Sequence, residues 1–437
     1  MEIQVSKLRE ILSLLKPVVP RKSSLPVVTY VLLQDGKAVA TNLEQYVVIE
    51  AAEVEGQNLM PLKEVSELLR RVPGNASLTI QSQGKSVSLK WSGGKSEYTV
   101  PEAVEYPSLP TLSPILSHSI SGAQLVPALT SVLPFCSTDS SRLVLTGVSL
   151  FPGEHLQVAA ADGYWMGLRN LPVGFPPIEG ARALVIPAKA VEILQHLWQK
   201  GPPPPMAEGD LIDVMASKGK LLIEVGWNNS AHSMIRLGFG IINLYTLLIE
   251  GNPPNFQMLV PAEAKHTVEF YAPEMESAAQ LVGNIASQGN GTVRLAWDNE
   301  VMKLSAVSDE LGSIEVEVPV RTSDGAGRIA LNIRYLLDYL KGRQGMITMQ
   351  TQDEKSPIVF RHGSSPLVLV MPMFVQWPGE THGQKAEAKV GDDEPAEETG
   401  HDEQEYGDYS EYIDEEQYDD EAMEQAEVME TAEQASG

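Results

Sequence analysis

An apolar strand followed by an amphipathic helix recurs three times in this 437-residue chain, at intervals of roughly 120 to 145 residues. The strands begin at Leu59, Leu184 and Ala330. Apolar residues then follow three and four positions apart, the spacing of one helix face. These positions are Val65, Leu68, Leu69 and Val72 in the first copy, Val191, Leu194 and Leu197 in the second, and Leu336, Leu337 and Leu340 in the third. Three copies of one unit predict three similar domains rather than one large core.

A second helix opens each copy, and segments of alternating polarity surround both helices. The opening helices are carried by Leu8, Ile11, Leu12 and Leu15, by Leu125, Leu129 and Val132, and by Met275, Ala278, Leu281 and Val282. Alternation over residues 77–81, 220–224 and 292–296 predicts strands joined by glycine-containing turns. We therefore predict an α+β fold of three repeated domains, each with two helices and roughly eight short antiparallel strands. The predicted limits are 1–116, 117–258 and 259–378. Gly201 and the four prolines after it predict a stiff loop inside the middle repeat.

The formal charge of −26 is concentrated in residues 379–437. This segment holds 22 acidic residues against 2 lysines, which accounts for −20 of the total and leaves the rest nearly neutral. Its Glu, Asp, Gln and Ala composition offers too little apolar surface to offset the entropy of ordering, so we predict a disordered acidic tail. Such a tail usually only solvates the chain; recruiting a basic partner or repelling DNA is the alternative.

Several classes of site are disfavoured by the sequence. Cys136 is the only cysteine, which excludes an internal disulfide framework or a cysteine-cluster zinc site and predicts a small buried side chain. The eight histidines lack helical metal-ligand spacing, so we expect no metal and no cofactor. The triplets at Gly84 and Gly94 resemble the end of a phosphate-binding loop, but they lack its earlier glycine and fall in apparent hairpin turns. No long apolar run or signal segment is present, and a cytoplasmic location is expected.

Asp162 is the one carboxylate that suggests an enzyme, because aromatic residues follow it closely. A glycosidase would need a second carboxylate, and the sequence identifies none. Asp162 precedes Gly163, and Asp-Gly is a common turn dipeptide. We therefore interpret Asp162 as a turn residue, with catalysis by Asp162 as an alternative.

Motifs spread along the chain resemble a known family. They are residues 7–12 with 24–28, which look like a first helix and the strand after it, residues 145–148 with 158–164, residues 332–338, and residues 370–373. In this order they are similar to the three domains of bacterial sliding clamps, the β subunit of the replicative DNA polymerase. The resemblance covers residues 1 to about 375.

The resemblance implies a head-to-tail homodimer, a ring of six domains that encircles duplex DNA and confers processivity on the polymerase without a catalytic site. Helices would line the hole and sheets would form the outside. A head-to-tail ring needs two different complementary surfaces, expected on the first and third domains. Tyr98 and Ile285 correspond to apolar contacts of that interface, and ordinary core burial is the alternative for both. A clamp-fold scaffold or paralogue that binds partners without sliding on DNA is the rival function.

Non-specific phosphate contacts suit a ring that is retained by topology. The expected DNA-binding residues lie on or beside the helices of the first repeat or in the loop after its first helix, and solvated helix faces are the alternative. They are Lys7, Arg9, Lys16, Arg21, Lys22, Lys63, Arg70 and Arg71. The opening helices of the second and third repeats have no Lys or Arg, which concentrates the expected contact in the first domain.

The family also implies one hydrophobic pocket that binds short peptides, of the Gln-Leu-x-Leu-Phe type, from DNA polymerase, the clamp loader and repair proteins. The corresponding residues are Leu145, Ala161, Gly163, Tyr164, Trp165, Met166, Pro254, Met258, Leu259, Asn332, Tyr335, Leu369, Met371, Pro372, Met373 and Phe374. Trp165, Met258 and Phe374 stand where relatives often carry arginine, and Tyr164 where they often carry histidine. This predicts a more apolar pocket with altered peptide preference, unless these side chains fold inward and close it.

Overall fold

Three consecutive segments of the chain share one order of elements. The computed structural model describes residues 1–178, 180–201, 219–227, 233–298, 300–323, 325–363 and 365–377. Within them, a strand, a helix, four strands, a helix and three strands follow one another three times, which confirms the predicted α+β repeat. The prolines after Gly201 and the acidic tail lie outside the described residues.

The elements have the following bounds. The first repeat contains β1 (Glu2–Gln4), α1 (Val5–Leu15), β2 (Tyr30–Gln34), β3 (Lys37–Thr41), β4 (Gln45–Glu50), β5 (Gln57–Pro61), α2 (Leu62–Leu69), β6 (Ser77–Gln83), β7 (Ser86–Trp91) and β8 (Gly94–Thr99). The second contains β9 (Ser113–Ser121), α3 (Gly122–Val132), β10 (Gly147–Phe151), β11 (Leu156–Ala161), β12 (Trp165–Leu171), β13 (Leu184–Pro187), α4 (Ala188–Lys200), β14 (Lys220–Trp227), β15 (Ser233–Phe239) and β16 (Ile242–Leu247). The third contains β17 (His266–Tyr271), α5 (Ala272–Ala286), β18 (Thr292–Trp297), β19 (Val301–Ser308), β20 (Gly312–Thr322), β21 (Gly327–Asn332), α6 (Ile333–Leu340), β22 (Met346–Thr351), β23 (Ile358–Arg361) and β24 (Leu367–Val370).

Antiparallel strand pairing joins the repeats to one another. The fourth strand of the first repeat, β4, pairs with β16, the last strand of the second repeat. The fourth strand of the second repeat, β12, pairs with β24, the last strand of the third. Sheets therefore run across both junctions, and residues Met1–Gln376 form one compact unit. The domain limits after 116 and 258 remain predictions.

Apolar side chains fill both faces of the sheets. The helices cover one face and create the main core, into which α1 buries Leu8, Ile11 and Leu15. Two smaller clusters lie on the opposite face. The first outer cluster consists of Val27, Val28, Leu32, Val39, Val48, Leu59 and Tyr106. The second outer cluster consists of Ala159, Ala161, Met166, Leu168, Phe256, Val359 and Leu369. Because side chains alternate along a strand, β3 directs Ala38 and Ala40 into the main core and Val39 into the first outer cluster.

The structure departs from the sequence prediction at the first interior strand. The segment from Ser24 to Val28 was expected to form it, but Pro26–Thr29 is a 3-10 turn and β2 begins at Tyr30. The physical reason is that proline fixes φ near −65° and has no N–H to donate to a sheet.

The turn interpretation of Gly84 is confirmed, because it lies between β6 and β7 with φ of 58°. Cys136 is half-buried, and burial raises the pKa of its thiol to about 12. No helix among the described residues is long and apolar enough to cross a bilayer.

Candidate partner-binding site and DNA face

The predicted pocket residues converge at the junction between β12 and β24. Trp165 pairs with Val370 and Met166 pairs with Leu369 across this junction. Side-chain alternation sends Trp165 into the main core and Met166 into the second outer cluster. Neighbouring pocket residues therefore have different roles, one in the core and one beneath the outer surface.

A tight turn between β11 and β12 positions the second repeat's part of the site. The Asp162 carboxylate accepts hydrogen bonds through Oδ1 from the backbone N–H groups of Tyr164 (2.9 Å) and Trp165 (3.0 Å). Gly163 has φ of 99°, in the region that favours glycine. The predicted turn role of Asp162 is thus confirmed, and this geometry leaves Tyr164 61% exposed.

The third repeat contacts this turn through α6. The Tyr335 hydroxyl donates a hydrogen bond of 3.1 Å to Oδ2 of Asp162, and its ring lies 5.0 Å from that of Trp165. Burial, followed by the negative charge of Asp162, raises the pKa of Tyr335 to about 12. Asn332 caps α6 by accepting a hydrogen bond of 2.9 Å from the N–H of Arg334. Asn332 therefore fixes the start of α6 and Tyr335 contacts the Asp162 turn, while their contact with a partner peptide remains a prediction.

The segment after β24 completes the site. The N–H of Met371 donates to the Tyr164 carbonyl, and the N–H of Met373 donates to the Ala330 carbonyl, each at 2.8 Å. These bonds connect the segment to both repeats, while Phe374 remains 79% exposed.

Sequence reasoning missed Arg142, which lies against the same turn. Its Nη2 donates to the Asp162 carbonyl at 3.0 Å, and its guanidinium lies 3.6 Å from the carboxylate of Asp139. A Cβ on Gly163 would lie only 2.4 Å from Nη1 of Arg142, so Gly163 makes room for the guanidinium. A lone arginine before a strand carries no signal for this contact, since it depends on a turn 20 residues later.

The predicted pocket divides into a buried part and an exposed apolar part. Four residues are buried: Ala161, Trp165, Met166 and Leu369. Four large apolar residues are exposed: Tyr164, Met258, Leu259 and Phe374. Gly163 and Pro254 are also exposed, and the other six, Leu145, Asn332, Tyr335, Met371, Pro372 and Met373, are partly buried. Such a surface can bind apolar side chains through burial of area. Across the described residues, no group of His, Cys, Asp and Glu could hold a metal.

Trp165 differs in exposure from Met258 and Phe374, the other two residues at positions where relatives often carry arginine. It is only 7% exposed, and its ring lies 4.4 Å from that of Phe135 on the core side. Met258 is 80% exposed, so it offers far more apolar surface to a partner. Inward folding, the alternative weighed from the sequence, describes Trp165 but not Met258 or Phe374.

The predicted DNA-binding residues also divide into two groups. Arg9 donates to the carbonyl oxygens of Leu69 and Val72 at the end of α2, and Lys7 lies 3.9 Å from Glu10. The remaining six side chains are exposed, and none lies within ion-pair distance of a carboxylate in the described part of the chain. These six residues, called the basic face below, are Lys16, Arg21, Lys22, Lys63, Arg70 and Arg71.

Tyr98 and Ile285, the predicted dimer contacts, lie on β8 and α5 respectively. Both are partly buried against the main core of this chain. Their expected contacts with a second copy remain a prediction.

Three strand-linked repeats with helices on one face of their sheets define the DNA clamp class of fold. Residues 257–373 match the family described as DNA polymerase III beta subunit, C-terminal domain. The Synechococcus elongatus beta sliding clamp is 26% identical over 387 residues, which cover 84% of this chain and 97% of the relative. The Synechocystis sp. beta sliding clamp is 25% identical over 340 residues, covering 73% and 82%. The Pseudomonas aeruginosa DNA polymerase III subunit beta structure superposes with a TM-score of 0.73 at 22% identity, covering 86% and 99%. The chain is therefore similar to the DNA polymerase III beta subunit family along most of its length, and residues 257–373 match that family's C-terminal domain.

Proposed function

We propose that this chain is a DNA sliding clamp, a homodimeric ring that encircles duplex DNA and tethers the replicative polymerase and other DNA-processing proteins. In this role the chain is an accessory subunit with no catalytic centre. The relatives named beta sliding clamp support this function along nearly their whole length. The observation in this chain that carries the proposal is the pattern of strand pairing between repeats.

The pairing pattern leaves two complementary strands open. At both internal junctions, the fourth strand of one repeat pairs with the last strand of the next. By the same pattern, β20 of the third repeat requires the last strand of a first repeat, which is β8. Within the described residues β8 pairs only with β7, and residues 312–319 of β20 pair only with β19. A second copy would satisfy both open edges through two identical head-to-tail junctions, because β20 and β8 are different surfaces on one chain.

The chemistry of these open strands agrees with a junction of that kind. On β20, Ile314 and Val316 are partly buried, while Glu315 and Glu317 are exposed. On β8, Tyr98 is partly buried and Lys95 is exposed. Pairing the two strands would continue the main core through Tyr98, Ile314 and Val316. The same pairing would place the Lys95–Glu97 pair on the exposed face where Lys303 pairs with the two glutamates.

The basic face supplies weak, sequence-independent attraction to DNA. Its six side chains have no intrachain carboxylate partner in the described part, so phosphates can pair with them without breaking an existing ion pair. Arg9 is left out of this role because its guanidinium is used at the end of α2. Opening helix α3 has no charged residue, and α5 has Glu274 and Glu276 but no basic residue. Among the opening helices, basic residues therefore occur only in the first repeat, and we propose that retention depends on ring closure.

The exposed apolar residues around the Asp162 turn form the docking site for partner peptides. Tyr164, Met258 and Phe374 offer aromatic and thioether surface, which adapts to different apolar side chains. Among the described residues, the guanidinium of Arg142 is already bonded to this turn, and that of Arg334 beside Tyr335 is paired with Asp338 at 3.6 Å. We propose that the site selects peptides of the Gln-Leu-x-Leu-Phe type mainly through their apolar residues.

Light scattering of the purified full chain tests the ring. The expected mass is twice the chain mass of 47.6 kDa. Backbone N–H groups alternate in direction along a strand, so one of Ser96 and Glu97 directs its N–H to the open edge of β8. Proline there removes a donor needed only by a second copy. Of the two variants Ser96→Pro and Glu97→Pro, the one that removes the N–H at the open edge should stay folded by circular dichroism and become monomeric.

Two results would overturn the proposal. One is a monomer for the unmodified chain at micromolar concentration, which would favour the clamp-fold scaffold that binds partners without sliding. The other is a dimer that survives both proline variants, which would place the interface elsewhere on the chain.

A further inference from the structure

A second apolar groove lies on the first repeat, far along the chain from the site at the Asp162 turn. Its volume is about 440 Å³. Strands β2, β3 and β5 form one side, and the segment after β8 forms the other. Its lining includes Leu32 and Val39 from the sheet and Val104, Tyr106 and Leu109 from the segment. The DNA face and the peptide site described above use none of these residues.

The groove resembles the peptide site in how it is built. The segment after the first repeat buries Tyr106 in the first outer cluster, as the segment after the second repeat buries Phe256 in the second outer cluster. Both aromatic residues lie at a 3-10 turn: Tyr106 follows Ala103–Glu105, and Phe256 begins Phe256–Leu259. Beside each buried aromatic, an apolar residue stays exposed, Val104 at 82% and Met258 at 80%. The same arrangement that surrounds the peptide site is thus present once more.

Charge distinguishes the groove from the peptide site. Asp35 lines it, and Glu105 directly follows Val104 in the segment that forms one side, while Glu102 of that segment is paired with Lys85 at 3.8 Å. Lys37 is the only basic residue in the lining, and it lies 4.0 Å from Glu50. The rim is therefore acidic, which repels DNA and acidic peptides and attracts basic ones.

We propose that this groove binds a short basic peptide, whose aliphatic side chains pack on the exposed Val104 and Leu109 while its Lys or Arg residues face Asp35 and Glu105. Val104 and Leu109 supply burial of apolar area, and the acidic rim supplies selectivity for charge. The groove thus gives the protein a second class of partner, independent of the proposed clamp function and of its peptide site.

Fluorescence anisotropy with the full chain tests this proposal. The probe is a labelled six-residue peptide with two central leucines flanked by lysines, and its counterpart carries glutamates in place of the lysines. We expect the lysine peptide to bind at least about tenfold more tightly, with affinity that falls as salt rises. Val104→Asp should weaken the lysine peptide by about tenfold through loss of apolar contact. Asp35→Asn combined with Glu105→Lys should abolish the preference for the lysine peptide.

Matched variants assign the binding to this groove. Ile115→Asp places the same charge on another exposed aliphatic residue, outside the groove, and should leave the affinity unchanged. Met258→Asp changes the peptide site and should also have no effect. The proposal is overturned if the lysine peptide fails to bind at millimolar concentration. It is also overturned if Val104→Asp has no more effect than Ile115→Asp, or if binding is lost in Met258→Asp.

Discussion

The Tyr335 hydroxyl of the third repeat donates a hydrogen bond of 3.1 Å to the Asp162 carboxylate of the second. The same carboxylate accepts two backbone N–H bonds inside its own turn. A residue that the sequence offered as a catalytic candidate thus has a structural role. It holds the turn that exposes Tyr164 and connects this turn to α6.

We predict that Asp162→Ala lowers the free energy of unfolding by about 1–3 kcal/mol, because two N–H donors lose their acceptor. Tyr335→Phe should cost about 0.5–1.5 kcal/mol, since it removes one hydrogen bond and keeps the ring. Urea unfolding measures both changes. The double variant should cost less than the sum of the single variants, because the two residues share one bond.

Tyr271→Phe is the matched control, because Tyr271 is 42% exposed and its hydroxyl has no hydrogen bond that we find among the described residues. A cost for Tyr335→Phe no larger than for Tyr271→Phe would contradict the structural role of the bond between Tyr335 and Asp162.

Tyr339 gives the stability a dependence on alkaline pH. Burial raises its pKa to about 12, and its hydroxyl has no hydrogen-bond partner in the described structure. An unfolded tyrosine ionises near pH 10, so its contribution to stability is complete below about pH 10 and is lost as pH rises toward about 12. Tyr339→Phe should therefore weaken this alkaline loss in urea unfolding at pH of about 8 and about 11. If the free energy of unfolding falls by the same amount between the two pH values in Tyr339→Phe and in the unmodified chain, this assignment is contradicted.

Much of the fold could be predicted from the sequence because the same pattern, an apolar strand followed by an amphipathic helix, occurs three times. Leu59, Leu184 and Ala330 each lie in a strand that leads directly into a helix. Where prediction failed, a local rule overrode apolar patterning, as Pro26 did at the start of β2. The pairings of β4 with β16 and of β12 with β24 join strands about 200 residues apart. Apolar periodicity in the sequence is local and does not indicate which distant strands pair. The open edges of β8 and β20 therefore became apparent only from the structure.

The candidate site shows the same limit at the level of single residues. Family resemblance indicated the positions but not their exposure, which depends on the strand face that each side chain occupies. Trp165 and Met166 are neighbours in sequence and lie on opposite faces of β12. Arg9 illustrates this for the DNA face: a basic residue on a helix suggested phosphate contact, whereas its guanidinium contacts the end of α2.

Because the Arg9 guanidinium contacts the end of α2 and Arg70 is exposed, replacing Arg9 should affect stability and replacing Arg70 should affect DNA binding. We predict that Arg9→Ala lowers the free energy of unfolding by about 1–3 kcal/mol, because the carbonyl groups of Leu69 and Val72 lose a charged donor. Arg70→Ala should change stability by less than about 0.5 kcal/mol, as expected for an exposed side chain without an ion pair. On a short DNA duplex, Arg70→Ala should weaken binding and lower the salt dependence by about one phosphate contact.

Arg9→Lys provides the control, since it keeps the charge and removes the planar guanidinium. It should be destabilised nearly as much as Arg9→Ala, and its DNA binding should match that of the unmodified chain. DNA binding weakened by Arg9→Ala as strongly as by Arg70→Ala, in a sample that circular dichroism shows to be folded, would return Arg9 to the DNA face.

The exposed and buried halves of the peptide site make a final, separable prediction. Met258→Asp and Phe374→Asp should each weaken a labelled Gln-Leu-x-Leu-Phe peptide by about tenfold or more, because a charge replaces apolar surface that the peptide covers. Trp165→Phe should change that affinity by less than about threefold, since the indole is 7% exposed and replacing it reduces packing beneath the site. It should instead lower the stability, which urea unfolding measures on the same sample.

Val307→Asp, at an apolar residue that is 54% exposed on β19, serves as the control for added charge. If Trp165→Phe abolishes peptide binding while Met258→Asp and Phe374→Asp have no effect, the peptide enters the core side of β12, and the docking surface assigned here is wrong.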